Sequence, residues 1–380
     1  MESGGTPKSI SIEYNYYKDL SNILRLVPSS FFNYLATRLV SQFMEYKYYS
    51  LKAGSLKNLQ QKTGQLDAPK ATEVTVAVKA VGLNFADVFA IWGLYSATPK
   101  GEFIPGLEFA GEVTAVGSEI SSLSVGDRVM GITRFGGYTS ALNSDQRYVI
   151  PLPSDWNYQE GAAYLVQVLT AYYGLINLGN LQAGYQVLIH SAAGGVGVWA
   201  NRIAKKMGAR TIGSIGSNSK ISFCKAEGYD EVIVRSGSFK QDLEKAMDDK
   251  GLNLIMECIG GEIFKIGYDA LAEEGRLIIY GSARYASRSD KPNYPKLLYQ
   301  FFTRPKIDPQ KMIELNKGIL GFNLIYLYEK VELMHELLDK LSEMNLGKPI
   351  VGQQFNFDNL VDAIKAFQSG QTMGKVVVNV

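Results

Sequence analysis

The sequence predicts an α/β protein in which a mostly β domain is split around a second domain with a doubly wound parallel sheet. From about residue 187 to residue 280, strand-like and helical segments alternate, which is typical of a parallel sheet covered by helices on both faces. Short strand-like runs divided by glycine turns precede this region over 44–150, and the closing run 374–380 is expected to rejoin them. At 380 residues the chain is long enough for two domains.

The composition is that of an ordinary globular protein, with 46% hydrophobic and 20% charged residues and a net charge of +2. Such a balance gives no reason to expect nucleic acid or an anionic membrane as a partner. No run of 18 apolar residues predicts a transmembrane segment. The two cysteines, Cys224 and Cys258, suggest neither a disulfide framework nor a metal site, so we expect a reducing, cytoplasmic setting.

Residues 1–44 are predicted to be an N-terminal extension or linker. Residues 1–9 have the composition of a flexible leader, and apolar residues then recur at helical spacing around Pro28. Two short amphipathic helices are expected there. They would serve either as a packed extension or as a docking segment for another domain or a membrane surface.

Residues 73–79 alternate with a period of two, which predicts a β-strand. Further short runs at 109–117, 127–130 and 147–150 predict a small, curved, mostly antiparallel β domain. The segment 160–178 then has the apolar spacing of one long helix.

The parallel sheet is predicted from five strand-like runs, at 187–190, 211–215, 232–234, 252–256 and 277–280. Helical stretches separate or follow them at 198–207, 221–227, 239–247 and 264–271. Residues 283–304 are expected to be a polar, proline-containing connection, followed by a helix at 331–344.

A glycine-rich turn follows the first of these strands. Gly194 and Gly197 match the second and third glycines of the G-x-G-x-x-G fingerprint, and Ala192 stands at the position of the first. Gly195 and Val196 lie between the two glycines. Such a turn lets the backbone approach a pyrophosphate, whose charge is favoured by the helix N-terminus that follows. The strand–turn–helix context predicts a Rossmann domain that binds a dinucleotide.

The identity of the dinucleotide is predicted from the end of the second strand. NAD-binding folds place an acid there for the ribose 2′-OH, but no Asp or Glu occurs between Gly208 and Ala226. Ser217 and Lys220 would instead suit a 2′-phosphate, and we therefore predict NADPH. The alternative is that Lys220 is a solvated surface charge.

Five ordered motifs carry a resemblance to a known family, at 82–87, 105–111, 125–130, 169–172 and 192–197. The chain resembles the medium-chain dehydrogenase/reductase superfamily over about 45–380. The resemblance implies a GroES-like catalytic domain, 45–165 and 305–380, split around an NADPH-binding Rossmann domain, 166–304, with the active site in the cleft.

Zinc enzymes of this superfamily place a Cys and a His where this sequence has Asn84 and Leu107. Neither residue can act as those ligands do, so no metal is expected. Loss of the Lewis acid favours hydride addition to an activated C=C bond over alcohol oxidation. Zinc-free members include quinone reductases, synthase enoyl reductases and the synaptic vesicle membrane protein family. The chain most resembles a polyketide synthase enoyl reductase domain.

The resemblance also implies roles for individual residues. Tyr95 is the candidate proton donor for Cα of the substrate, or else a packed wall residue. The Asn84 amide could hydrogen-bond the nicotinamide ribose or the substrate carbonyl. His190 is expected to be a packing residue at a strand end, and Glu108 a structural one.

Further residues are expected around the nicotinamide, from segments far apart in sequence: Thr170, Phe322, Asn323 and Lys375. Tyr280 and Gly281 end the fifth strand, at the carboxyl edge where doubly wound sheets bind ligands.

The predicted function is an NADPH-dependent enoyl-thioester reductase in polyketide biosynthesis, with its substrate on an acyl carrier protein. Three alternatives stay open: an NADPH quinone or enone reductase, reductive cyclopropane closure on a γ-halogenated enoyl thioester, and a non-catalytic, vesicle-protein-like scaffold. A homodimer is expected by resemblance only.

Overall fold

The computed structural model describes residues 43–380, so the two helices expected between residues 10 and 44 lie outside the described residues. Tyr46–Gly64 and Pro69–Val380 form one compact unit. No helix within 43–380 combines the length and the apolar character needed to cross a bilayer.

Sixteen strands are assigned within 43–380: β1 Phe43–Lys52, β2 Gln60–Asp67, β3 Glu73–Gly82, β4 Glu102–Phe103, β5 Glu108–Val116, β6 Arg128–Ile132, β7 Ala141–Asp145, β8 Val149–Pro151, β9 Gln186–His190, β10 Arg210–Ile215, β11 Glu231–Val234, β12 Leu252–Glu257, β13 Leu271–Ile279, β14 Gly318–Gly321, β15 Val351–Asn356 and β16 Lys375–Asn379.

The α-helices of the same residues are α1 Phe85–Ile91, α2 Tyr158–Gly161, α3 Leu165–Tyr172, α4 Gly195–Lys206, α5 Ile221–Ala226, α6 Phe239–Ala246, α7 Gly261–Asp269, α8 Tyr294–Phe302, α9 Pro309–Leu315, α10 Val331–Met344 and α11 Leu360–Gln368. A π-helical segment, Tyr173–Leu178, continues α3.

The nucleotide-type sheet has six parallel strands in the order β11-β10-β9-β12-β13-β14. Val187, Leu188 and Ile189 of β9 are fully buried, as expected for a strand covered on both faces. The strand order reverses between β9 and β12, which is where doubly wound sheets bind ligands. Because β14 pairs with β13, this sheet continues past residue 304, the predicted end of the Rossmann domain.

The second sheet is antiparallel over most of its path and runs β15-β16-β3-β5-β6-β8, with β7 also paired to β3. The closing strand β16 pairs with β3, with Val377 opposite Gly82. The last residues of the chain therefore return to the sheet formed by its first half. The predicted fold class is confirmed: a GroES-like, mostly β region is split around a Rossmann-type parallel sheet.

Two predicted elements differ from the structure. The helix expected over 160–178 is interrupted, because α2 ends at Gly161, which packs so closely that an added Cβ would lie 2.6 Å from Leu152. The polar connection expected over 283–304 contains α8, whose first turn is capped by Asn293 accepting from the Lys296 N–H. Its side chains are mostly apolar, and several of them are exposed, including Leu298, Tyr299 and Phe302.

Candidate active-site cleft

The glycine-rich turn joins β9 to α4 in a conformation that only small residues permit. Ser191 has a positive φ of 53°, and its carbonyl accepts a 2.8 Å hydrogen bond from the Gly194 N–H. A Cβ on Gly197 would lie 2.5 Å from the Ser191 carbonyl oxygen. Glycine therefore lets α4 begin directly against the strand end, which leaves its N-terminal N–H groups facing the cleft.

The cleft is a cavity of about 740 Å³ between the two sheets, a size typical of small-molecule and cofactor sites. Most residues predicted from sequence line it: Asn84, Tyr95, Thr170, Gly194, Gly195, Val196, Gly197, Lys220, Tyr280, Gly281, Phe322, Asn323 and Lys375. Ala192 and Ser217 are not among its lining residues. Ala192 is fully buried, and the Ser217 hydroxyl accepts from the Ser219 N–H in a one-turn 3-10 helix.

Two cations meet at the end of β10. The Lys220 ammonium donates to the carbonyl oxygens of Gly370 and Thr372, at 2.7 and 2.8 Å. Arg235 follows β11, and its Nη1 donates to the backbone carbonyl and the hydroxyl oxygen of Ser214, at 2.8 and 3.0 Å. Within 43–380, no carboxylate lies within ion-pair distance of either cation.

Both cations are costly to keep charged without an anion. Burial lowers the pKa of Lys220, and the neighbouring charge of Arg235 lowers it further. Burial likewise lowers the pKa of Arg235. Because an anion would relieve both the burial cost and the repulsion, the end of β10 is suited to bind one. The sequence reasoning found Lys220 but missed Arg235, which the parallel pairing of Ile215 with Val234 brings there.

A buried polar chain lies behind Arg235. The Ser214 hydroxyl is 2.5 Å from His190 Nδ1, and His190 Nε2 is 3.3 Å from a carboxylate oxygen of Glu257. The other Glu257 oxygen accepts from the N–H groups of Ile259 and Gly260. Burial opposes ionisation of Glu257, but His190 and these N–H groups outweigh it and hold its pKa below the usual value. His190 is fully buried at the end of β9, where its ring links Ser214 to Glu257.

Tyr95 and Asn323 lie together on the opposite side of the cleft. The Tyr95 hydroxyl donates a 2.7 Å hydrogen bond to Asn323 Oδ1. Burial raises the pKa of Tyr95 to about 12. The phenol is therefore protonated at neutral pH and can act as a proton donor. Two residues predicted for separate tasks thus form one hydrogen-bonded pair.

Asn84 belongs to a buried network. Its Oδ1 accepts from Gln167 Nε2 at 2.8 Å and from Lys375 Nζ at 2.9 Å, while its Nδ2 donates to Glu108 at 2.9 Å. Gln167 and Lys375 also donate to the same Glu108 oxygen. The amide predicted to contact cofactor or substrate is therefore engaged within the protein. Gln167 was not singled out from the sequence.

Lys375 and Glu108 form a buried ion pair at the floor of the cleft. Lys375 is only 3% exposed, and burial lowers its pKa although Glu108 opposes this. Asp87 is a second buried carboxyl nearby, and burial raises its pKa to about 7. One of its oxygens accepts from the Asn84 N–H and the Tyr138 hydroxyl, each at 2.8 Å. The cluster thus holds one cation and two acids.

Gly374 ties the closing strand to the glycine-rich turn. Its N–H donates a 2.8 Å hydrogen bond to the Ala193 carbonyl, and it has a positive φ of 61°. A Cβ there would lie 2.5 Å from the Ile350 carbonyl oxygen. Both restrictions favour glycine, which lets the two sheets meet beside the cleft.

Comparisons with known proteins agree with this architecture. Residues 70–154 match the family described as alcohol dehydrogenase GroES-like domain, and residues 195–335 match the one described as zinc-binding dehydrogenase. The human synaptic vesicle membrane protein VAT-1 homolog is 32% identical over 323 residues, which are 84% of this chain and 82% of that protein. The chain belongs to the medium-chain dehydrogenase/reductase superfamily.

Solved structures extend the likeness to two enzymes of the superfamily. The CurK enoyl reductase is 27% identical with a TM-score of 0.75, over 88% of this chain and 99% of that one. The quinone oxidoreductase from Thermus thermophilus, which was also solved in complex with NADPH, is 28% identical with a TM-score of 0.71, over 88% and 100% of the two chains. As a member of this superfamily, the protein is an oxidoreductase with a fold that binds NAD(P).

The residues at the zinc-ligand positions of this superfamily do not fit zinc in this chain. Leu107 is an apolar, buried side chain, and the Asn84 amide is engaged in its network. No group of three or more His, Cys, Asp or Glu side chains within 43–380 is arranged to hold a metal ion. Cys224 and Cys258 are free and buried.

The predicted nicotinamide-side residues line the cleft from three directions. The Thr170 hydroxyl donates to the Val166 carbonyl at 2.6 Å, which leaves its oxygen free to accept a further hydrogen bond. The ring of Phe322 packs edge-on against Tyr173, with centroids 5.0 Å apart. Tyr280 and Gly281 follow β13 at the carboxyl edge of the sheet.

Proposed function

We propose that this protein is an NADPH-dependent reductase that acts on the conjugated C=C bond of an enoyl thioester. The observation that carries the proposal is Tyr95, whose protonated hydroxyl lines the same cleft as the glycine-rich turn and is oriented by Asn323. Reduction of such a bond requires a proton at Cα in addition to a hydride at Cβ. A half-buried phenol beside the dinucleotide site meets that requirement.

The preference for NADPH over NADH is supported by Lys220 and Arg235. They supply two cations, with no carboxylate partner in the described part of the chain, where a Rossmann fold places the ribose 2′ position. The turn residues Gly194–Gly197 support a pyrophosphate site at the start of α4, because a Cβ on Gly197 would meet the Ser191 carbonyl oxygen and glycine therefore permits the tight turn. These residues fit NADPH. The NADPH complex of the Thermus quinone oxidoreductase adds support by similarity.

The chemistry divides between cofactor and protein. When bound, NADPH supplies a hydride to the β-carbon of the substrate and becomes NADP⁺. Tyr95 gives its hydroxyl proton to the α-carbon, so that the C=C bond becomes a CH–CH bond. With its pKa near 12, the resulting phenolate recovers a proton from solvent before the next turnover. Asn323 holds the hydroxyl in place, and the Asn84 network fixes the floor of the cleft.

We further propose that the thioester is carried by an acyl carrier protein in polyketide biosynthesis, with support from the similarity to the CurK enoyl reductase. A quinone or enone reductase is the second candidate, supported by the similarity to the Thermus enzyme. Because Tyr95 favours protonation at Cα, simple reduction is preferred to cyclopropane closure. We also propose a homodimer, as expected from the family, and a measurement of the molecular mass in solution tests it.

The test is consumption of NADPH with a crotonyl thioester and, separately, with a quinone. We expect the thioester to be reduced, and Tyr95→Phe to lower its kcat about 100-fold, because general acid catalysis contributes about that much. Binding of NADPH should not change. The control is Tyr326→Phe, since the Tyr326 hydroxyl donates to Ser96 and does not line the cleft.

Other outcomes are equally informative. Reduction of the quinone alone would replace the thioester by the second candidate. Activity with neither substrate would favour the non-catalytic scaffold. A Tyr95→Phe enzyme with unchanged kcat and unchanged stereochemistry at Cα would remove Tyr95 from the mechanism.

A further inference from the structure

An apolar groove lies beside the cleft, between helix α8 and the end of α1. It has a volume of about 780 Å³ and is lined by Phe89, Leu94, Tyr285, Tyr294, Pro295, Leu297, Leu298 and Phe301. All of these side chains are aliphatic, aromatic or proline. An ionic ligand would find no charged partner among them, whereas a hydrocarbon chain would be surrounded by apolar contacts.

The groove adjoins the active-site cleft and shares wall residues with it. Phe89, Leu94 and Tyr285 line both cavities. Leu94 directly precedes Tyr95, the candidate proton donor. A chain that leaves the reacting carbons beside Tyr95 therefore passes Leu94 on its way into the groove.

Helix α8 forms the outer wall of the groove. Asn293 caps the start of α8, and Gln300 Nε2 donates a 2.6 Å hydrogen bond to the Arg284 carbonyl, which joins the helix to the segment that carries Tyr285. On the other side, Phe89 packs edge-on against Trp92, with centroids 6.0 Å apart. Both walls are thus held before any ligand arrives.

We propose that the apolar groove binds the tail of the substrate, a long, unbranched acyl chain whose thioester end lies in the cleft. This inference rests on the proposed function and deepens it, because it assigns the substrate class. Leu298 is 60% exposed in the wall of the groove. Binding of the tail would bury part of this apolar surface, which is exposed among residues 43–380.

The first test is a chain-length series of crotonyl, octenoyl and dodecenoyl thioesters with the full chain. We expect kcat/KM to rise with length by up to about fourfold per methylene, the equivalent of ~0.8 kcal/mol for a fully buried methylene. In Leu298→Ser the rise should flatten, while the crotonyl rate stays unchanged.

The matched control is Tyr299→Ser. Tyr299 is the next residue on α8 and is 68% exposed, but it does not line the groove. It should keep the full chain-length dependence. Equal dependence in wild type and Leu298→Ser, with unchanged melting temperatures, would overturn the proposal, and so would equal losses in the two variants.

A second measurement separates this inference from the proposed function. Fluorescence titration with dansyl-labelled dodecanol, with dansyl-labelled butanol as the short-chain control, reports binding without turnover. Loss of dodecanol binding in Leu298→Ser alone supports the groove even if no thioester is reduced, in which case only the proposed function fails. Equal binding by both variants and wild type overturns the groove. Binding of phosphatidylserine vesicles that both substitutions weaken equally would identify α8 as a membrane contact and overturn it too.

Discussion

The two ends of the cleft hold buried charge in opposite ways. At the end of β10, Lys220 and Arg235 are close cations without a carboxylate partner within 43–380. At the cleft floor, Lys375 is paired with Glu108 and hydrogen-bonded to Asn84. A buried charge that is paired within the protein serves the structure, whereas buried cations without a counter-charge mark a place for an anionic ligand.

The largest effect should come from breaking the paired end. Glu108→Leu removes the acceptor shared by Asn84, Gln167 and Lys375 and leaves the buried Lys375 ammonium without the carboxylate that it is paired with. Removal of one partner of a buried pair costs about 3–5 kcal/mol, so the free energy of unfolding in urea should fall by about that amount.

The double variant Glu108→Leu/Lys375→Met provides the control. Removing both charges should recover most of the lost stability, because no uncompensated ion remains. If Glu108→Leu cost less than about 1 kcal/mol, the cleft floor would not depend on the pair.

Substitution of a cation at the end of β10 should change the affinity for NADPH more than the free energy of unfolding. Arg235→Met should weaken NADPH binding about 10- to 100-fold, because hydrogen bonds to charged groups contribute about 1.5–3 kcal/mol. Binding of NADH, which has no 2′-phosphate, should be unchanged. Calorimetric titration of both nucleotides measures the difference.

Lys225→Met is the matched control for the cation end. Lys225 lies on α5 near Lys220, but its ammonium donates to the Asp230 carbonyl and does not line the cleft. It should leave both affinities unchanged. An equal loss of NADH and NADPH affinity in Arg235→Met would show that Arg235 does not recognise the 2′-phosphate.

The third effect appears only when the pH changes, and it concerns Asp87, the second acid at the paired end. Its folded-state pKa of about 7 lies above the usual value of 3.8, because burial disfavours the ionised form. The folded protein therefore holds this proton more tightly than the unfolded chain does. The stability contribution of Asp87 is thus present below about pH 4 and is lost as the pH rises through about 7.

Asp87→Asn should flatten this pH dependence. The amide oxygen can still accept from Asn84 and Tyr138, but it does not ionise. Between pH 4.5 and 8, wild type should lose up to about 3 kcal/mol of unfolding free energy relative to the variant. Urea denaturation over that pH range measures the two slopes, and parallel slopes would contradict the assignment.

Sequence patterns predicted most of the fold because its signals are local. The glycine-rich turn, the buried strand β9 and the helix Val331–Met344 each follow from residues close in the chain. The break at Gly161 depends instead on a tight contact with Leu152, which no periodicity shows. Helix α8 was missed because it is a short apolar run of nine residues, whose spacing does not distinguish a helix from a connection.

The candidate site was predicted in part for the same reason. Lys220 was predicted because it follows β10 closely in sequence. Arg235 was missed because it follows β11, which lies beside β10 only through strand pairing. Glu108 and Lys375 are 267 positions apart, so their pairing could not be read from spacing. Ser217 has the right chemistry for a phosphate, but its hydroxyl accepts a hydrogen bond from its own turn.

The hydrogen bond from Gly374 to Ala193 has a mechanical consequence. It joins the closing strand of one sheet to the turn that starts the first helix of the other. This bond restrains the distance between the closing strand and the turn. Any widening of the cleft that keeps the bond must therefore be smallest at the turn and grow with distance from it.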